Sequence, residues 1–292
     1  MVLIVGSTGL VGTEICRLLA EQKTPFRALV RSDSASEKVD VLKSLGAKLV
    51  VGDLKDPASL VAACAGVSKI ISTASSTFSA REGDNIASVD HQGQLNLVEA
   101  ANKAGVGCFV FISFPDNTAH TNPLSDAKRA VEDALAASDM VGCSLQANYF
   151  TEVWLSPHLG FDFVNATARV YGTGDNKVSW VSFRDVARFA VAALDKGFAA
   201  NQTVDIGGPE PLSQNDAIRL FEAAHGKTFA VEYLPIAAME QQLANSTHPL
   251  EQSFTGLMLQ YAAGMPMNMG EMAKHIDVPL TSVADYAAAT KG

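Results

Sequence analysis

The amino-acid sequence predicts a doubly wound α/β protein, a Rossmann-type parallel sheet with helices on both faces, followed by a smaller α+β C-terminal substrate region. Three observations carry this. Short β-rich runs alternate with helical patterns through the first half of the 292 residues. Those runs are apolar throughout, as strands buried on both faces must be. The first of them passes at once into a glycine-rich turn and a helix, the opening of a dinucleotide-binding unit.

Taken in order, "VLIV" reads as a strand, and "LVGTEICRLLAEQ" as a helix, because Val11, Ile15, Leu18 and Leu19 recur at helical spacing. "FRALV" is the second strand and "SEKVDVLKSLG" an amphipathic helix. "KLVVGD" is the third strand, followed by "PASLVAACAG" with Pro57 suited to a first helical turn. "KIISTAS", the helix "GQLNLVEAANKAG" and the strand "CFVFISF" complete the alternation. After about Tyr149 the rhythm changes to a turn, a strand carrying Trp180, a helix from near Asp185, then strand, Gly-Pro break and helix; Met239 to Met272 is helical or irregular. The expected division is a nucleotide-binding domain over 1–152, completed by strands and a helix within about 178–208. A mainly C-terminal substrate-binding domain over 153–292 covers the carboxyl edge of the sheet.

A hydrophobic fraction of 48% is enough for a sizeable core, and a net charge of −9 argues against nucleic-acid or anionic-membrane partners, because a negative field repels phosphate. Small molecules are the expected partners, and the oligomeric state, monomer or homodimer, stays open. Cys16, Cys64, Cys108 and Cys143 lie far apart with no C-x-x-C pair, so free thiols of a reducing cytosol are expected rather than a disulfide or zinc framework. The histidines show no metal-ligand spacing, so no metal site is expected. The chain starts on a strand without a signal-peptide pattern, and no apolar run approaches the ~20 residues that span a bilayer. A cytoplasmic protein is the expectation.

In "VGSTGLVG", Gly6, Gly9 and Gly12 follow the first strand and open the first helix. Glycines there let the backbone turn tightly and approach a pyrophosphate, which the free N–H groups of the helix start attract; Ser7, Thr8, Leu10 and Val11 belong to the same loop. The second strand ends in Arg31 rather than an acid. A guanidinium can hold a ribose 2′-phosphate, so NADP(H) is favoured over NAD(H), with Asp33 two residues on as the counter-argument. Asp53 and Leu54 end the third strand, where a carboxylate could meet an adenine amino group. Thr73, Ala74 and Ser75, after the fourth strand, are expected beside the ribose and nicotinamide, with Ser113 and Phe114 at the end of the fifth.

At these residues the sequence resembles the NmrA-like branch of the atypical short-chain dehydrogenase/reductases. "GSTGLVG", "LVR", "VVGDLKDPASL", "GQLNLVEAANKAGV", "KRAVEDAL" and "GGPEPLS" carry the resemblance in order along essentially the whole chain. It implies NADP(H) binding and an oxidoreductase activity. Family members with ordinary chemistry carry Y-x-x-x-K; Lys128 matches the lysine, which grips the nicotinamide ribose, but the tyrosine position is Leu124, which cannot donate a proton. Asn148 and Tyr149 match a family position beside the nicotinamide, which makes Tyr149 a substitute donor to consider, with His120 as another.

Without a built-in acid, a simple ketone would lose about 10²–10⁴-fold in rate. A quinone or another conjugated acceptor would not, because its charge is delocalised or cancelled as hydride arrives. Phe114, Phe150, Trp154, Trp180, Phe254 and Met258 are a pocket composition suited to stacking such an acceptor, or an interdomain core. Two readings follow: an NADPH-dependent oxidoreductase acting on an aromatic or conjugated acceptor, and a non-catalytic NADP(H)-binding redox sensor.

Overall fold

The computed structural model describes residues 1–79, 81–115, 121–195, 200–270, 272–277 and 279–291. Its strands are β1 (Val2–Val5), β2 (Phe26–Val30), β3 (Lys48–Val51), β4 (Lys69–Ser72), β5 (Cys108–Ser113), β6 (Val141–Ala147), β7 (Phe161–Asp162), β8 (Thr167–Tyr171), β9 (Lys177–Val178), β10 (Gln202–Ile206), β11 (Leu212–Ser213) and β12 (Ala230–Leu234). The helices are α1 (Leu10–Glu21), α2 (Ser36–Ser44), α3 (Pro57–Cys64), α4 (Gln92–Lys103), α5 (Pro123–Ala136), α6 (Thr151–Trp154), α7 (Phe183–Ala193), α8 (Gln214–His225), α9 (Ile236–Asn245), α10 (Pro249–Ala263) and α11 (Val283–Ala289).

Seven strands form one sheet in the order β10-β6-β5-β4-β1-β2-β3, and β1 to β6 pair parallel throughout. The reversal of strand order between β1 and β4 is the switch point at which doubly wound sheets open a ligand crevice at their carboxyl ends. The apolar strand runs explain the layering: Leu3, Ile70, Phe109 and Phe111 are fully buried, and Leu60 and Leu97 from α3 and α4 pack into the same core. Pro57 stands at the first position of α3, capped by the Asp56 carboxylate on the Ala58 N–H, as the sequence predicts.

The chain divides into two compact units. The first comprises Met1–Phe114, Leu124–Gln146 and Val186–Val204, and the second Pro115–Pro123, Ala147–Asp185 and Asp205–Gly292. Within the second unit β12, β8 and β7 make a three-stranded sheet, parallel between β12 and β8 and antiparallel between β7 and β8. The strand expected around Trp180 is only Lys177–Val178, two residues short of that ring. Cys16, Cys64 and Cys143 are buried free thiols and Cys108 is half-buried. Among the described residues no helix is long and apolar enough to cross a membrane.

Candidate coenzyme site in the first unit

The turn from β1 into α1 is built so that only glycine fits at positions 6 and 12. Gly6 has φ +82°, and a Cβ there would lie 2.6 Å from Thr73 Oγ1 and 2.7 Å from the Ala74 nitrogen. A Cβ on Gly12 would lie 2.1 Å from the Gly6 carbonyl oxygen. Gly9, the residue before α1, is extended (φ −86°, ψ 174°) and caps the helix with no side chain, and the first turn of α1 carries no acid. The first-turn N–H groups therefore keep their positive dipole end for a ligand anion. An orphaned helix start beside a turn with no room for a Cβ at Gly6 or Gly12 is the donor set a dinucleotide pyrophosphate requires, so the residues fit that group.

Ser7 does not offer its hydroxyl to a ligand: its Oγ donates to the Leu29 carbonyl at 2.8 Å and locks the turn to β2. Thr13 ties down the other side, donating to the Ser7 carbonyl at 3.0 Å. Val11 is buried and Leu10 exposed, with Thr8 between them in burial. Thr73 and Ala74 abut Gly6, and the Thr73 N–H donates to the Val5 carbonyl. Ser75 pairs with Thr77. Ser72 donates to Gln94 Oε1, whose Nε2 donates to the Ala74 carbonyl, so this loop is held from α4.

Arg31 and Asp53 are brought into one ion-pair network. Arg31 NH1 donates to Asp84 Oδ2 at 2.6 Å, and Lys55 Nζ reaches Asp84 Oδ1 at 2.5 Å. Arg81 binds Asp33 through Nε at 2.8 Å and Asp53 through NH1 at 2.6 Å. Burial raises the Asp84 pKa, but hydrogen bonds from Lys55, Ser79 and Arg31 outweigh it and hold the carboxyl below its ordinary range. Leu54 is buried, and its carbonyl takes the Asn96 amide.

Lys128 lies on the inward face of α5, one turn after Leu124, and both are buried. Its Nζ donates to the Ile112 carbonyl at 3.1 Å and stands 4.7 Å from the centre of the Phe111 ring. Burial lowers its pKa, while Asp90 and Glu132 draw it back up and Arg129 adds to the lowering. Asp90 is buried; its Oδ2 accepts from the Ser76 N–H and hydroxyl, whereas Oδ1 has no hydrogen-bond partner among the described residues. Ser113 Oγ and the Phe114 carbonyl both accept from Arg129 NH2.

The remaining predicted residues belong to the second unit. Asn148 is used by the backbone, its amide donating to the Met265 carbonyl and its oxygen accepting the Tyr149 N–H. The Tyr149 hydroxyl donates to the Leu257 carbonyl at 2.9 Å, and burial raises its pKa well above the ordinary value. Tyr149, Trp154 and Tyr261 pack edge-on or tilted at centroid distances of 4.6 to 4.9 Å, and Trp180 meets Tyr261 at 5.7 Å. Phe150 bridges to Val181, and Phe254 and Met258 sit one turn apart and half-buried on α10. His120 lies outside the described residues. No group of three or more metal-ligating side chains occurs among the described residues.

Lys55, Arg81, Asp84, Asp90 and Arg129 have no counterpart in the sequence reading. Lys55 follows β3, Arg81 and Asp84 belong to the segment after β4, Asp90 to the helical turn Ile86–His91 and Arg129 to α5; only Arg129, beside Lys128, carries a local signal.

The fold and its N-terminal turn define an α/β protein of the dinucleotide-binding class. The chain belongs to the NmrA-like family, whose model matches residues 1–278. It is 30% identical to an NAD(P)H azoreductase of Xenophilus azovorans, over 99% of this chain and 97% of that protein. It is 31% identical to the photosystem II assembly factor Ycf39 of Synechocystis sp., over 82% of this chain and 72% of that one. In fold it is similar to an NADPH-dependent quinone oxidoreductase, QOR2, of Escherichia coli solved with NADPH, with a TM-score of 0.77 and 21% identity over the full length of both.

Proposed function

We propose that this chain is an NADPH-dependent reductase that passes hydride to an aromatic or conjugated acceptor, such as a quinone or an azo compound. The observation that carries the reading is the turn at Gly6, Gly9 and Gly12, where backbone fills the space of every Cβ but one and the helix start is left uncapped. The relatives named as azo and quinone reductases support the same class of acceptor.

The bound coenzyme would supply the hydride. The first-turn N–H groups of α1 would hold its pyrophosphate, and Arg31 the 2′-phosphate. Asp53 and Leu54 would border the adenine; Thr73, Ala74 and Ser75, with Ser113 and Phe114, would border the ribose and nicotinamide. Lys128, with one of its three donors on the Ile112 carbonyl, would give the others to the nicotinamide ribose. We assign Tyr149 to packing rather than proton donation, since its hydroxyl already serves the Leu257 carbonyl. Leu124 offers no proton either, which favours an acceptor that tolerates delayed protonation from water, as quinones and azo groups do. Phe150, Trp154, Phe254 and Met258, each half-buried, are the aromatic and sulfur surfaces we offer for stacking that acceptor, whereas Trp180, 1% exposed and packed on Tyr261, we assign to the core.

A redox sensor that binds the coenzyme without turnover is the second reading. The same two observations at Leu124 and Tyr149 favour it, and a relative named as an assembly factor is consistent with it. Stopped-flow oxidation of bound NADPH against a panel of quinones and azo dyes separates the two. Acceleration by at least one acceptor is expected; tight coenzyme binding with no acceleration by any would overturn the reductase and leave the sensor.

A further inference from the structure

Within the dinucleotide reading above, the turn after β2 holds two side chains of opposite consequence. Arg31 suits a 2′-phosphate, whereas a free carboxylate at Asp33 would accept ribose hydroxyls and repel that phosphate. Two residues apart, they would work against each other if both faced the ligand alone. The structure treats them differently. Arg81, from the segment after β4, places Nε 2.8 Å from Asp33 Oδ2, while Arg31 Nε stands 3.9 Å from Asp33 Oδ1. Arg81 also holds Asp53 through NH1, and Asp53 Oδ1 takes the Lys55 N–H, so the guanidinium is fixed from two sides.

Arg31 is directed elsewhere. It gives NH1 to Asp84, whose side chain is 2% exposed and which also takes Lys55 and the Ser79 hydroxyl. The Arg31 side chain remains 41% exposed, so it is anchored underneath by a buried carboxylate and open above. The three cations Arg31, Lys55 and Arg81 match the three aspartates Asp33, Asp53 and Asp84; removing Arg81 alone unbalances the group exactly where a phosphate would sit beside Asp33.

We propose that Arg81 is a positioning residue for coenzyme choice: by occupying Asp33 it turns a strand end of mixed character into one that accepts the 2′-phosphate of NADP(H).

The test is fluorescence titration with NADPH and NADH, at one low ionic strength, of wild type, Arg81→Gln, Asp33→Asn and the double variant. Arg81→Gln is expected to weaken NADPH about fivefold to tenfold, the scale of one part-exposed charge facing a phosphate, and to leave NADH within about twofold. The double variant should regain NADPH binding, because the carboxylate at position 33 is gone and cations and aspartates are again equal in number, Arg31 and Lys55 against Asp53 and Asp84. Asp33→Asn alone should leave NADPH binding equal or tighter, since one carboxylate is gone while Arg81 keeps its second partner, Asp53. This arm does not depend on Arg81 variants folding. Equal weakening of both coenzymes by Arg81→Gln, no recovery in the double variant, or weaker NADPH binding by Asp33→Asn alone would each overturn the proposal while leaving the dinucleotide site standing. Wild type that binds neither coenzyme would overturn that site and this inference together.

Discussion

Gly9→Ala separates what the N-terminal turn does for a ligand from what it does for the fold. The added methyl has one near neighbour outside its own chain segment, the Gly6 carbonyl oxygen at 3.3 Å, and the backbone at φ −86° and ψ 174° suits any residue. Alanine is a poorer residue than glycine before a helix by about 0.5–1 kcal/mol, and it stiffens the unfolded chain by a similar 0.4–1 kcal/mol; the two offset. The melting temperature should therefore move by less than about 4 °C for a chain of this size. Binding should suffer much more, because the methyl stands in the path by which a pyrophosphate reaches the first-turn N–H groups. A tenfold rise in Kd, about 1.4 kcal/mol, is the minimum expected. Gly12→Ala is the counterpart: its methyl would be 2.1 Å from the Gly6 oxygen, 2.7 Å from the Gly6 carbonyl carbon and 2.9 Å from Ser7 Cα, all backbone. Overpacking of that kind costs about 1–3 kcal/mol or more and lowers the melting temperature outright. Thermal melts and NADPH fluorescence titrations of both variants decide the matter. A Gly9→Ala protein that binds NADPH as wild type does would show that the turn is structural only.

Two further outcomes follow from buried polar groups. Lys128→Met should raise stability near neutral pH, because burial lowers the folded lysine's pKa and the unfolded chain binds the extra proton. Stability from this source grows as pH rises from that lowered value toward the ordinary lysine value of about 10.4, so the advantage of the methionine variant should shrink over that window. A difference in melting temperature that stays constant with pH would contradict the buried charge, and NADPH affinity should fall in the same variant. Tyr149→Phe strands the Leu257 carbonyl and should cost about 1–3 kcal/mol in urea denaturation, with little change in NADPH oxidation by any acceptor found. A rate loss of about a hundredfold without a stability loss would return Tyr149 to the role of acid.

The parts of this molecule that were legible in the sequence are those whose cause is local. Gly6, Gly9 and Gly12 sit within one strand-turn-helix unit, where spacing places them together, and Leu124 and Lys128 sit within one helical turn, where the family resemblance points to them. The cation network was not legible because its members come from the ends of β2 and β3 and from the segment after β4, where no periodicity marks a side chain's direction. Tyr149 shows the same limit, since the acceptor of its hydroxyl is 108 residues further along the chain. Trp180 shows another: its ring is 1% exposed, and composition does not distinguish an aromatic ring that lines a cavity from one that fills a core. Asp90 is invisible for a third reason, because a carboxylate oxygen left without a hydrogen-bond partner among the described residues is a fact of packing.

The strand next to β6 is β10, contributed by residues 202–206, after the chain has already left the first unit and built part of the second. On the ribosome, the sheet that carries the glycine turn thus waits with one margin open until about two-thirds of the polypeptide has emerged. A gene cut after residue 150 would deliver a fragment with that margin bare and without α7, prone to pair with other chains through it. Anyone wishing to isolate the turn and its ligand would do better to keep the polypeptide whole and delete from its far end.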